Sequence, residues 1–207
     1  MARRILDTAL ALAETGGWST LRLRQVAGRL EIPLAEVRAL YRDRDAVADA
    51  WFDLADAAML EAGPPGFADL PVRERLHIAI MAWLDGMAGH RRVTGEMLAD
   101  KLWPFHPHHN IGLVLRLSRT VQWIREAALL DAGGRRRQIE EIGLSALLVA
   151  TVRRWLRDDG TGQTATREWL ARRLDQADRL MASSAGSRRA PRERGTILPA
   201  RPDPNET

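Results

Sequence analysis

The sequence predicts an all-α protein: a small helix-turn-helix head followed by a larger helical body, about nine helices in all. Three observations lead there. Apolar residues recur at helical spacing along almost the whole chain, and no alternating strand pattern with a hairpin turn is present. Two short helical segments near the N-terminus follow one another with almost no linker. The stretch GPPGFADLP, Gly63 to Pro71, interrupts the periodicity so fully that no helix crosses it. The predicted division is a head on residues 1–62, a body on 63–185, and an Arg- and Pro-rich tail on 186–207. That tail is too poor in apolar groups to pack and is predicted to be disordered.

Each element has a local reason. Ile5, Ala9 and Leu12 line a first helix that stops at Gly16-Gly17, where glycine makes a positive-φ cap cheap. Ser19 is placed to cap a second helix carrying Leu23, Val26, Ala27 and Leu30. Pro33 suits the first turn of a third, with Val37 and Tyr41, closed by Arg42-Asp43-Arg44. A fourth, about Asp45–Glu61, turns Val47, Trp51, Leu54 and Met59 inward. In the body, Leu76, Ile80, Trp83 and Met87 mark a fifth helix, and Val93 to Leu102 a sixth. WPFHPHHN, Trp103 to Asn110, breaks the pattern. Leu113, Leu117, Val121 and Ile124 form a seventh helix that ends at Asp131-Ala132-Gly133-Gly134. The eighth, about Arg137–Arg157, is apolar nearly all round from Ile142 to Val152 and is expected to be buried on several sides. After Asp158-Asp159-Gly160, a ninth begins near Thr164 and carries Leu170, Leu174, Ala177 and Met181.

With 45% hydrophobic and 28% charged residues in 207, the chain has enough apolar material for a sizeable core. It has no cysteine, which removes disulfide frameworks, thiolate catalysis and cysteine zinc sites. No uncharged run approaches the roughly 18 residues of a membrane helix. The opening MARRILDTALALAE reads as a helix rather than a leader, because Asp7 and Glu14 interrupt its apolar run. A cytoplasmic protein without integral membrane association is the expectation. Lys101 is the only lysine, so the basic character is arginine throughout. Residues 1–44 hold eight Arg against five acids, whereas 45–62 hold five acids and no base, which leaves a modestly basic head on an acidic neighbour.

From Ile5 to Phe52 the chain reads ILDTALALAETGGWSTLRLRQVAGRLEIPLAEVRALYRDRDAVADAWF, and here it resembles the TetR family of bacterial transcriptional regulators. The features that match are the Ile-Leu-Asp-x-Ala-Leu opening, the Gly-Trp turn, Val-Ala in the second helix, the aromatic closing the third, and the charged turn before a long helix. The resemblance covers about a quarter of the chain. It implies a homodimer whose heads read operator half-sites about 34–36 Å apart and release DNA when the body takes up a small apolar ligand. It also implies phosphate contacts at Arg24 and Arg44, with Arg22 where the family has Thr and Gln25 beside them. On the recognition helix Leu34-Ala35-Glu36 stands where Lys-Gly-Thr is common, Arg38 replaces a Tyr, and Glu31 replaces the turn glycine. Leu34 and Ala35 are candidates for thymine methyl groups. Glu36 suits a cytosine amino group or repels phosphate.

A second set of features is similar to the TetR-like lipid-binding accessory proteins of ubiquinone biosynthesis, which keep the fold without operator binding. These are the Gly-Trp turn, His109-Asn110-Ile111, Asp158-Asp159-Gly160 and Trp169-Leu170-x-x-Arg173. That resemblance implies an isoprenoid lipid as ligand. The C-terminal membrane helix of those proteins has no counterpart in the Arg- and Pro-rich tail here.

Seven tryptophans against one tyrosine and three phenylalanines make Trp83, Met87, Trp103, His109 and Trp123 the candidates for a hydrophobic ligand pocket; core packing is the alternative for each. Ile142, Leu147, Val149, Leu170 and Leu174 are the candidates for a four-helix dimer interface. The cluster His106-Pro107-His108-His109 has no carboxylate close by to complete a tetrahedral set, so a loop with surface histidines is expected and no metal or other cofactor. No phosphate loop, nucleophile elbow or His-Glu-x-x-His helix is present, and the sequence supplies no case for an enzyme.

Overall fold

The computed structural model describes residues 1–101 and 107–186, with side chains over 1–101 and 114–181; among these residues there are nine α-helices and no strand. α1 (Ala2–Gly16) buries Ile5, Leu6, Ala9 and Leu10 and ends at Gly17, whose φ of 88° suits glycine alone. A short 3-10 turn, Trp18–Thr20, then intervenes, so Ser19 is not the cap of the second helix. α2 (Leu23–Leu30) is capped instead by Gln25, whose Oε1 accepts the Arg22 N–H at 2.8 Å. At its other end Glu31 adopts φ 55°, with the Ile32 N–H returning to the Ala27 carbonyl at 3.1 Å in a Schellman-type ending. The sharp turn at which Glu31 stands in place of glycine therefore forms, at the cost of a left-handed glutamate.

α3 (Leu34–Leu40) follows Pro33, and α4 (Arg44–Leu60) is capped by Asp43, whose side chain accepts the Ala46 N–H at 2.7 Å. Trp18 of the 3-10 turn, Val26 of α2, Val37 of α3 and Val47 of α4 are fully or almost fully buried. Each such side chain contributes about 1.5–3 kcal/mol through burial. Residues 61–71 hold only a short 3-10 turn, Phe67–Asp69, before α5 (Val72–Met87). α4 and α5 pack along their lengths, and Gly86 marks their close approach: a Cβ there would lie 3.3 Å from that of Ala58.

α6 is Arg91–Lys101, α7 Pro107–Ala127, α8 Gly134–Trp155 and α9 Thr164–Gly186. Because α7 starts at Pro107, His108 and His109 lie in its first turn rather than in a loop; proline suits that position because its missing N–H would be unpaired there anyway. α8 starts three residues earlier and ends two earlier than the periodicity suggests. It also buries one face, not several: Leu144, Leu148 and Trp155 are buried while Ile142 is 71% exposed. Asp158 then organises the start of α9, accepting the Thr166 N–H at 2.7 Å and its hydroxyl at 2.6 Å. The Thr166 hydroxyl bond holds the Asp158 carboxyl below its ordinary value of 3.8.

Candidate nucleic-acid interface

The outer side of the α2–α3 pair presents Arg24, Arg29 and Arg38 to solvent, and none of them has an ion-pair partner among the described residues. Leu34 is 49% exposed at the first position of α3, with Ala35 and Glu36 exposed beside it. An apolar side chain left in water at the start of a helix, on a helix pair that also carries unpaired guanidinium groups, suits a groove edge carrying thymine methyls and phosphates.

The other predicted contacts are differently placed. Arg22 folds back, its Nη1 donating to the carbonyls of Ser19 and Leu21, both at 3.1 Å. Gln25 is engaged in the cap described above. Arg44 is held in three ways: Nη1 donates to the carbonyls of Trp18 at 3.1 Å and Ser19 at 3.0 Å, Nη2 pairs with Asp100 at 2.7 Å, and the guanidinium lies 5.5 Å from the centre of the Trp18 ring. It joins the head to α6 instead of standing ready for a phosphate.

Arg44 belongs to a wider seam. The Trp18 N–H donates to Glu96 at 2.6 Å. Arg92 bonds the Ala13 carbonyl at 2.9 Å and also reaches the Glu14 carbonyl, closing the end of α1. His90 meets Glu14 at 3.1 Å, and the Trp51 indole N–H donates to Thr94 at 2.9 Å. Lys101 sits between Asp45 and Asp49 at 3.9 and 3.5 Å. Apart from Arg44, none of these residues is a site candidate in the sequence. The signal was present, since Arg92, Glu96 and Asp100 recur every fourth residue on one face of α6. Such a stripe reads as solvated surface until the partner is known.

Among the described residues the predicted pocket side chains are not brought together. Trp83 is buried, stacked on Phe52 at 6.3 Å with its indole N–H donated to Asp56 at 2.8 Å. Met87 is buried as well, and Trp123 is 43% exposed on the surface. Trp103 lies outside the described residues, as does the side chain of His109. Asp56 receives Arg116 at 3.1 Å, and Arg116 also reaches Asp53 at 2.6 Å. Burial pushes the Asp56 carboxyl above its usual range, against the opposing pull of Arg116. Of the predicted interface, Leu170 and Leu174 are buried in the chain's own core and have no surface to offer a partner. Leu147 is half-buried, Val149 is 44% exposed and Ile142 is more exposed still. Among the described residues no cluster of metal-binding groups occurs, and no helix is long and apolar enough to cross a membrane.

The fold has a close counterpart. A solved structure of a TetR transcriptional regulator from Nitrosomonas europaea is 43% identical, spans 86% of this chain and 98% of its own, and superposes with a TM-score of 0.76. The chain belongs to the TetR family of transcriptional regulators. A curated relative, the HTH-type transcriptional regulator in the dhlA 5′ region of Xanthobacter autotrophicus, is 34% identical over 98 residues, 45% of this chain. The match spans 46% of that relative, about half its length. No family model matches the chain. The α2–α3 pair lies in the Ile5–Phe52 stretch that resembles the family, and the α6 seam ties that stretch to the rest of the chain.

Proposed function

We propose that this TetR-family regulator binds operator DNA as a cytoplasmic homodimer through the head at 1–62 and releases it when the body, 63–185, takes up a small apolar ligand. It acts by binding, with no enzymatic step. The observation that carries this reading is the exposed surface of α2–α3, which holds Leu34 and Ala35 in water together with Arg24 and Arg38, neither of which has an ion-pair partner among the described residues. Pairing is placed on α8, where Ile142 and Val149 are large apolar groups left in water. Two copies related by a two-fold axis then present two heads to successive major grooves.

A second reading is favoured by a specific observation. Arg22, Gln25 and Arg44 are all engaged inside the protein, and Glu36 stands exposed on the recognition helix. Those features suit a TetR-fold lipid carrier without operator binding. One titration separates the two: labelled DNA from the upstream region of the gene, with a scrambled control, at two salt concentrations. Specific binding that survives physiological salt, with Kd in the region of about 10⁻⁸ M or tighter, supports the regulator. Weak binding, equal for both DNAs and abolished by salt, overturns it in favour of the carrier. Ile142→Glu is expected to leave a monomer in sedimentation, because pairing would bury an unpaired carboxylate; a variant that stays dimeric moves the interface elsewhere.

A further inference from the structure

The N-terminus of a helix is an unfavourable place for cations, since the helix dipole is positive there. α6 nevertheless opens on Arg91-Arg92 and carries no acid in its first turn. Both guanidinium groups are drawn away from that end, in different directions. Arg92 bonds the carbonyls of Ala13 and Glu14 at the end of α1, in the head. Arg91 donates through Nη1 to the carbonyl of Asp158, just beyond the end of α8. Its guanidinium also lies 5.3 Å from the centre of the buried Trp155 ring. Two adjacent residues thus answer the negative C-terminal ends of two helices, one in the head and one in the body.

The rest of α6 keeps the same division. Glu96 and Asp100 continue the stripe of Arg92 toward the head, on the Trp18 N–H and on Arg44. Gly95 stands one turn after Arg91, and a Cβ there would lie 3.1 Å from Cδ2 of Leu156, at the end of α8. α6 is therefore held on one side by the head and on the other by the connection between α8 and α9. That connection has little freedom of its own. One carboxylate oxygen of the buried Asp158 takes the N–H and hydroxyl of Thr166, and the other takes the Gly160 N–H at 3.1 Å. Asp158 fastens α9 with its side chain and α6 with its main chain. Close packing accounts for Gly95 against Leu156. It does not account for the placement of Arg91, whose Nε is buried without a hydrogen-bond partner among the described residues. An N–H left in that state costs free energy, so the Asp158 and Trp155 contacts must outweigh it.

We propose that Arg91 is a positioning residue for operator recognition: with Arg92 it locks α6 between α8 and α1, so that two copies paired on α8 hold their heads at one fixed angle. The half-sites read by a two-fold dimer must match the separation of its recognition helices. A head free to swing about α6 still reads one half-site but tolerates several separations. The inference rests on the operator-binding dimer proposed above and names what sets its spacing. Arg91 itself touches no DNA; it acts through α6.

The test compares Arg91→Ala with the unaltered chain on three DNAs: a single half-site, the full operator, and an operator with one base pair inserted between the half-sites. Half-site affinity is expected to stay within about twofold while the full operator weakens about tenfold, because the second head arrives at a lower effective concentration. The preference for the full operator over the inserted one should disappear with it. Affinity lost in equal proportion on all three DNAs would mark a folding defect and overturns the proposal, as does an undiminished preference for the native spacing. A second measurement needs no DNA. The chain has no cysteine, so Ala11→Cys on α1 and Val72→Cys on α5, both exposed, place one spin label in the head and one in the body. In labelled chains diluted with unlabelled ones, the distance distribution within a chain should broaden in Arg91→Ala. An unchanged distribution overturns the lock. Broadened distances in a protein without specific DNA binding leave the lock standing and remove the regulator; unchanged distances beside specific DNA binding do the reverse.

Discussion

Two sets of arginines in this protein differ in what surrounds them. On the outer side of the head, Arg24, Arg29 and Arg38 reach into water with no acidic neighbour among the described residues. At the seam and in the body, Arg44, Arg92, Arg116 and Arg125 are tied to carboxylates and main-chain carbonyls. All share one residue type, and in the sequence several looked equally suited to phosphate. A guanidinium already paired at 2.7 Å must lose that partner before it gains a phosphate, so its net contribution to DNA affinity is small. An unpaired one brings the whole gain from counterion release. The difference teaches that a basic position becomes a binding position only when the fold leaves it without a partner.

The strongest way to break the comparison is to remove an internal arginine. Arg116→Ala would strand the buried Asp56 carboxylate and is expected to cost about 3 kcal/mol, seen as a Tm fall of about 10 °C at neutral pH. Burial already holds the Asp56 pKa above 3.8, and losing Arg116 raises it further. A raised carboxyl favours the folded state below its unfolded value and loses that advantage as pH rises through the folded one. The deficit of the variant should therefore shrink as pH falls and Asp56 takes up a proton. A pH-independent deficit would mean that the charge on Asp56 is not what Arg116 answers.

Removing an external arginine should do the opposite. Arg38→Ala is expected to weaken operator binding by about 1–3 kcal/mol, roughly five- to 150-fold, with Tm unchanged. Unaltered affinity would take Arg38 out of the interface. Asp100→Asn tests whether an arginine can be moved from one set to the other. Freed from Asp100, Arg44 should raise DNA affinity several-fold and steepen the salt slope by about one unit, read by anisotropy at several salt concentrations. A slope identical to wild type would show that Arg44 stays clear of DNA even when released. The smallest effect concerns the turn that positions the free set. Glu31→Gly relieves φ 55° and should stabilise by about 0.5–1 kcal/mol, measurable as a small upward shift in urea midpoint.

Much of the scaffold was legible before any coordinates. The glycine pair at the end of α1, Pro33 before α3 and the Gly63–Pro71 break all marked real helix ends, because these residues act through their own backbone. Ser19 misled for a reason outside its neighbourhood. The Trp18 N–H is taken by Glu96, 78 residues away, and the chain there forms a 3-10 turn that delays α2 to Leu23. Trp83 and Met87 misled likewise: an apolar side chain at helical spacing serves a core or a pocket equally well, and only the neighbours tell which. Leu170 and Leu174 turned inward for the same reason, while Ile142 and Val149 on α8 stayed in water.

The sequence by itself determined the helices, their order and the TetR family, since periodicity, helix-ending glycines and prolines, and the Ile5–Phe52 pattern are local properties that need no partner. Tertiary structure alone decided which charged side chains remain free. A salt bridge such as Arg44–Asp100 joins residues 56 positions apart, and nothing local to either end records it. Which cations meet a partner inside the molecule, and which are left to find one outside it, is settled only when the helices pack.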